Sequence, residues 1–148
     1  MKSKKSSGSK YTIKYKVYEN VDNEGNIRKK VGRAFTNFIL EPINQQGNSE
    51  LMALFGEVSF SNPKPLGLLQ YLLNTIVIKD VTILDFFAGS GTTLHATMQL
   101  NAKDGGHRQC ILVTNNENGI CENVTYERNR RVIQGYTTPK GEKVPGLT

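Results

Sequence analysis

Residues 84–93, Leu-Asp-Phe-Phe-Ala-Gly-Ser-Gly-Thr-Thr, carry the densest chemistry of the chain. An apolar run ends on an acid, Asp85, and Gly89 and Gly91 follow before a pair of hydroxyl residues. Glycines this close serve a backbone that must turn tightly or let another group come near it. If the run is a strand and Thr92–Thr93 open a helix, the turn lies at the carboxyl edge of a parallel sheet. There a helix N-terminus offers unpaired N–H groups to an anionic or electron-rich ligand.

Three ligand classes use such a turn. A nucleoside triphosphate calls for Lys directly before Ser/Thr, and here Gly91-Thr92-Thr93 has none. A dinucleotide calls for G-x-G-x-x-G, and Leu94 stands where the third glycine belongs, which weakens that class without removing it. S-adenosylmethionine has no phosphates; it needs close backbone approach to its methionine part and an acid for its ribose beyond the next strand. Glu117, just past "QCILVT", is placed for that.

The flanking pattern supplies the elements that must hold the turn. Val81–Phe87 is β-branched and apolar almost throughout, as in a central parallel strand covered on both faces. Before it, Pro65 suits a helix start, and Leu66, Leu69, Leu72, Leu73 and Ile76 form a stripe at helical spacing. After it, residues 92–102 read as a helix, 109–114 as a buried strand, and 122–135 as a further helix ending near Gly135. This succession is the grammar of a doubly wound α/β sheet. A short helix is expected over 49–55, opened by Asn48 or Ser49, and 137–148 reads as a loop or truncated end.

Charge is concentrated at the other end. The chain of 148 residues carries a net charge of +6, yet residues 1–33 hold ten Lys/Arg against three Asp/Glu, and the remainder nine against ten. Residues 1–10 lack an apolar anchor and read as a disordered basic tail. "YTIKYKVYE" alternates as a half-buried strand, "DNEG" marks a turn and "NIRKKV" returns, so a basic β-hairpin is expected within 11–58. Lys14, Lys16, Arg28, Lys29, Lys30 and Arg33 could meet a DNA backbone, or could simply guard an edge strand. No apolar run approaches a membrane span, the N-terminus lacks a signal-peptide core, and two cysteines make no disulfide framework, so a cytoplasmic chain is expected. His95, His107, Cys110 and Cys121 make a poor zinc set, and no metal is expected.

With these residues in view, "DFFAGSGTT" resembles the F-x-G-x-G cofactor motif of DNA amino-methyltransferases, and "FSNPKPLGLLQYLL", about twenty residues earlier, resembles the Pro-Lys-Pro motif of their β group. Together with "HRQCILVTNNE" and "ICENVTYERNRRVIQGY", most of residues 11–148 is similar to the C-terminal half of type III restriction–modification methyltransferases, the modification subunits that make N6-methyladenine. The resemblance implies a Rossmann-like methyltransferase fold over 59–136 and S-adenosylmethionine as cofactor. It implies a pocket of Asp85, Phe87, Ala88, Gly89 and Gly91, with Phe87 against the adenine or the methionine chain. It further implies that Ser61, Pro63, Lys64 and Pro65 bring a helix N-terminus to the methionine carboxylate, that Thr92 or Thr93 adds a hydroxyl, and that Glu117 takes the ribose. Double-stranded DNA, a restriction subunit and a homodimer are the implied partners.

The family's catalytic Asp/Asn/Ser-Pro-Pro-Tyr/Phe motif is absent: Pro42, Pro63, Pro65, Pro139 and Pro145 include no adjacent pair. The expectation is a C-terminal portion of a longer enzyme, inactive alone, with exposed sheet edges that favour self-association. Two competing classes remain, a nicotinamide-dependent oxidoreductase and a non-enzymatic DNA-binding module resting on the basic segment.

Overall fold

The computed structural model describes residues 2–4, 13–15, 44–57 and 59–147. The chain divides into two units, residues 1–35 and 36–148. In the first, β1 (Lys2–Lys4) pairs antiparallel with β2 (Ile13–Tyr15), Ser3 opposite Lys14. Residues 1–10, expected to be disordered, therefore contribute a strand, because ladder hydrogen bonds need no apolar anchor. The "DNEG" turn, the "NIRKKV" strand, Lys16, Arg28, Lys29, Lys30 and Arg33 lie outside the described residues.

In the second unit, α1 (Asn44–Phe55) starts ahead of the expected Asn48 or Ser49. Its first turns, Asn-Gln-Gln-Gly, lack apolar periodicity, and Gly47 lets the helix lie against the Pro63 carbonyl, which any Cβ would overlap. Leu51 and Leu54 on α1 are buried. α2 (Leu66–Leu73) follows Pro65, whose extended backbone (φ −70°, ψ 143°) precedes the first turn. Leu66, Leu69 and Leu73 pack with Ala96, Leu100 and Ile83 to form the central core, whereas Leu72 and Ile76, expected in the same stripe, are exposed.

β3 (Thr82–Asp85) and β4 (Gln109–Leu112) are parallel, from Thr82 opposite Gln109 to Asp85 opposite Leu112. α3 (Thr92–Asp104) connects them and packs on α2 and β4. The ladder runs on into the turn: Val113 N–H donates to Asp85 O at 2.8 Å and Ala88 N–H to Val113 O at 3.1 Å. The α/β class is as expected, but burial along both strands alternates, with Leu84 51% and Ile111 53% exposed. The strand read as covered on both faces is covered on one. An apolar run reports what a strand is suited to, not which layers are present to cover it.

Beyond β4 come a 3-10 turn (Glu117–Gly119), a π-helical turn (Cys121–Tyr126) and α4 (Glu127–Gln134), in place of one regular helix over 122–135. The tail expected to be a loop forms a hairpin, β5 (Gly135–Thr137) antiparallel to β6 (Lys143–Pro145). Thr138 N–H to Glu142 O and Gly141 N–H to Thr138 O, both 2.8 Å, close its turn. Three-residue strands are too short to display alternation. Among the described residues no helix is long and apolar enough to cross a membrane.

Candidate functional site

Asp85 organises the end of β3. Its Oδ1 accepts from Phe87 N–H at 3.0 Å and its Oδ2 from Thr93 Oγ1 at 2.6 Å, so one carboxylate ties the strand end to the first turn of α3. Gly89 (φ +50°) and Gly91 (φ +74°) are both left-handed, and Gly91 N–H closes the turn on Ala88 O at 2.7 Å. The groups that come near these glycines belong to the protein. A Cβ on Gly89 would stand 3.2 Å from the Phe60 ring, and one on Gly91 would overlap the Asn129 amide and lie 3.1 Å from Thr125 O. Gly91 therefore packs against the π-helical turn and α4, and its missing side chain leaves room for them rather than for a ligand.

The "FSNPKP" segment forms the facing wall. Pro63 and Pro65 are fully buried, and Asn62, at φ +60°, adopts the left-handed conformation that asparagine tolerates better than most residues. The Lys64 carbonyl accepts from Thr92 Oγ1 at 3.1 Å, which joins the two segments directly. Between them lies a cavity of about 320 Å³, within the range of small-molecule sites. Ser61, Lys64, Asp85, Phe87, Ala88, Gly89, Thr92 and Thr93 all line it.

Of the other expected residues, Pro63, Pro65 and Gly91 lie outside the lining, and Glu117 is exposed on the 3-10 turn beyond the end of β4. Phe60, Asn62, Leu69 and Ser90 line the cavity without having been singled out for it, although all four stand inside the two motifs. Phe87, whose ring is available to a flat ligand, is 92% exposed. A larger cleft of about 600 Å³ between α1 and the β5–β6 turn contains none of the motif residues.

Beneath the cavity lies a polar cluster centred on α4 and the glycine turn. Glu127 pairs with Arg131 at 2.6 Å and with Arg130 at 2.7 Å. Arg128 and Asn129, on the same helix, are buried. Arg128 Nη1 donates to Thr92 Oγ1 (2.7 Å) and Ser90 Oγ (3.2 Å), while Nη2 faces Glu50 Oε2 (3.7 Å) and His95 Nδ1 (3.4 Å). Glu50 also accepts from Leu66 N–H at 3.0 Å, capping α2. Thr125 Oγ1 donates to Gly89 O at 2.5 Å. Burial lowers the Arg128 pKa to about 10, still charged at neutral pH, and raises that of Glu50 against the pull of Leu66 N–H and Arg128.

His95 on α3 is buried here and held neutral. Burial first, and the Arg128 charge second, lower it from 6.5 to about 3. The unfolded chain thus binds a proton that the folded chain refuses. Stability is full above pH 6.5 and drains as pH falls toward 3, at up to about 1.4 kcal/mol per pH unit. Hydrogen bonds from Arg130 and Arg131 to Glu127, and from Arg108 to Asp104, hold those acids low and add to the loss in stronger acid; Glu50, raised, opposes it. Urea denaturation between pH 6.5 and 5 checks this: a His95→Gln chain should lose most of the slope, and an unchanged slope would assign it to another group.

Lys14 lies on β2 opposite Ser3 of β1, and the other basic candidates lie outside the described residues. Among the described residues no three His, Cys, Asp or Glu side chains come together as metal ligands. Cys110 is half-buried on β4, where burial raises its thiol pKa.

The sequence profile described as DNA methylase matches residues 1–137. This chain belongs to the DNA methylase family. The methylase chain is 51% identical over 71 residues to the type III restriction–modification enzyme StyLTI Mod subunit of Salmonella typhimurium, covering 48% of this chain and 11% of that protein. It is 45% identical over 69 residues to the EcoPI Mod subunit of Escherichia phage P1, 47% of this chain and 11% of that one. It is 38% identical over 93 residues to the type II methyltransferase M.KpnI of Klebsiella pneumoniae, 63% of this chain and 22% of that one. The methylase chain thus spans between a tenth and a quarter of the length of these relatives.

Proposed function

We propose that this chain is the S-adenosylmethionine-binding portion of an adenine-N6 DNA methyltransferase of a type III restriction–modification system. The observation that carries the reading is the Thr92–Lys64 hydrogen bond, which brings two segments 28 residues apart together around one cavity. The cavity suits a zwitterion with a flat base. Lys64 and the N-terminus of α3 are complementary to the methionine carboxylate, and Asp85 to the ammonium. Phe87 and Phe60 offer apolar faces for the adenine or the methionine chain, Ser61 and Thr93 offer hydroxyls, and Gly89 lines the same cavity. Glu117, past the end of β4 on the same edge of the sheet, is assigned to the ribose hydroxyls.

The bound cofactor supplies an electrophilic methyl group; the chain's own residues bind and orient it. No Asp/Asn-Pro-Pro-Tyr sequence is present to hold a flipped adenine, so this chain by itself is expected to transfer no methyl group. For the full enzyme the reading implies double-stranded DNA as substrate and a restriction subunit and a second methyltransferase copy as partners. In the Rossmann-like sheet of that enzyme, the bare face of Leu84, Phe86, Ile111 and Val113 takes its second layer.

Photolabelling with methyl-labelled S-adenosylmethionine, followed by peptide mapping, tests the placement. Label is expected within residues 60–64 or 85–93, suppressed by excess S-adenosylhomocysteine and not by NAD. Label in the cleft between α1 and the β5–β6 turn, or suppression by NAD alone, contradicts it.

A further inference from the structure

We infer that Arg128 is the positioning residue of the cofactor cavity, holding its two walls in register from behind. The inference rests on the S-adenosylmethionine reading above for the identity of the ligand, and on the geometry alone for the clamp. Arg128 touches no part of the cavity lining's open side; it is fully buried on α4. Its Nη1 reaches Thr92 Oγ1, Ser90 Oγ and, at 3.4 Å, Ser90 O, and both residues line the cavity. Thr92 in turn donates to the Lys64 carbonyl, so a single relay runs from the guanidinium through the glycine turn to the "FSNPKP" wall.

The other guanidinium nitrogen faces Glu50 of α1, and the same carboxylate caps Leu66, the first residue after that wall. Both walls are thus tied to one side chain, one through Thr92 and one through Glu50. A planar fork with two separated nitrogens can serve both directions at once; a lysine ammonium is a single point and cannot. His95, neutral, accepts on the flank and adds no competing charge.

Stability does not account for the arrangement. A buried ion pair pays a desolvation cost that its attraction seldom exceeds, and well-packed apolar residues of similar volume are often as stable. Here the Arg128 Nε has no hydrogen-bond partner among the described residues, so even the pairing is incomplete. What the guanidinium supplies and a hydrocarbon cannot is directed donors at Ser90 and Thr92.

The test uses the whole chain and three variants: Arg128→Met, Arg128→Lys, and Arg108→Lys as a control. Arg108 makes a comparable buried pair with Asp104 at the far end of α3, away from the cavity. Amide hydrogen exchange is followed at Lys64, Leu66 and residues 89–94 without ligand, and S-adenosylmethionine affinity is measured by titration. Both Arg128 variants are expected to exchange faster at those amides. They should bind about ten- to a hundredfold more weakly, the loss found when groups that orient metal ligands are removed. Arg108→Lys should change neither readout at the cavity. If Arg128→Met does not fold, Arg128→Lys carries the comparison. Native exchange and native affinity in a folded Arg128 variant overturn the inference. A wild-type chain that binds no S-adenosylmethionine, while the Arg128 variants still loosen both walls, overturns the cofactor reading and leaves the clamp in place.

Discussion

Gly91→Leu is expected to abolish cofactor binding and to cost the fold about 2–5 kcal/mol. Two costs combine at this position. A residue other than glycine at φ +74° gives up about 1–2 kcal/mol to its own backbone. Its side chain must also displace the Asn129 amide and press on Thr125 O, and overpacking of this kind costs about 1–3 kcal/mol. Thr125 and Asn129 cannot yield without loosening the contact from Thr125 Oγ1 to Gly89 O, which forms the cavity's own turn. Gly105→Ala separates the two costs: Gly105 sits at φ +67° with nothing among the described residues within 4 Å of where the added methyl group would stand, so only the backbone cost of about 1–2 kcal/mol remains. Urea denaturation of both variants measures the difference. Equal losses would mean that the packing of the glycine turn on the π-helical turn contributes nothing.

Asp85→Ala carries the second large effect. Its carboxylate is the group in the cavity that could meet a cationic ammonium, and it also receives Phe87 N–H and Thr93 Oγ1. The exposed Phe87 amide can turn to water, but the Thr93 hydroxyl is buried and would be stranded, a cost of about 1–3 kcal/mol. A charge-assisted hydrogen bond to the ligand is worth a similar amount, so affinity for S-adenosylmethionine should fall by roughly tenfold to a hundredfold. Asp85→Asn retains an acceptor for Thr93 and should recover stability before affinity. Native affinity in Asp85→Ala would remove this residue from the ligand's reach.

What could be read in the sequence follows the range over which each signal acts. The order β3, glycine turn, α3, β4 was legible because apolar runs, punctuation and helical spacing are local. So was the membership of most of the cavity wall, since the two motifs contain it. The start of α1 was hidden because its reason is Gly47 against Pro63, sixteen residues away, and not a periodicity of its own. Arg128 was hidden for the same reason on a larger scale. Its partners, Ser90 and Thr92, are 38 and 36 residues distant, and a charged residue in a Glu/Arg-rich helix reads as solvated until those partners are placed. The two glycines were legible as a tight turn; what approaches them, Phe60 and the Thr125–Asn129 segment, was not. The one-sided burial of β3 and β4 depends on layers that no stretch of these strands encodes.

The central claim is that the cavity between the "FSNPKP" wall and the glycine turn takes S-adenosylmethionine. Isothermal titration of S-adenosylmethionine and S-adenosylhomocysteine into the folded chain tests it most directly, with Asp85→Ala alongside. The account predicts saturable one-site binding of both ligands, weakened in the variant and not competed by NAD. A folded chain that takes up neither ligand, or that binds them equally well without the Asp85 carboxylate, would contradict it.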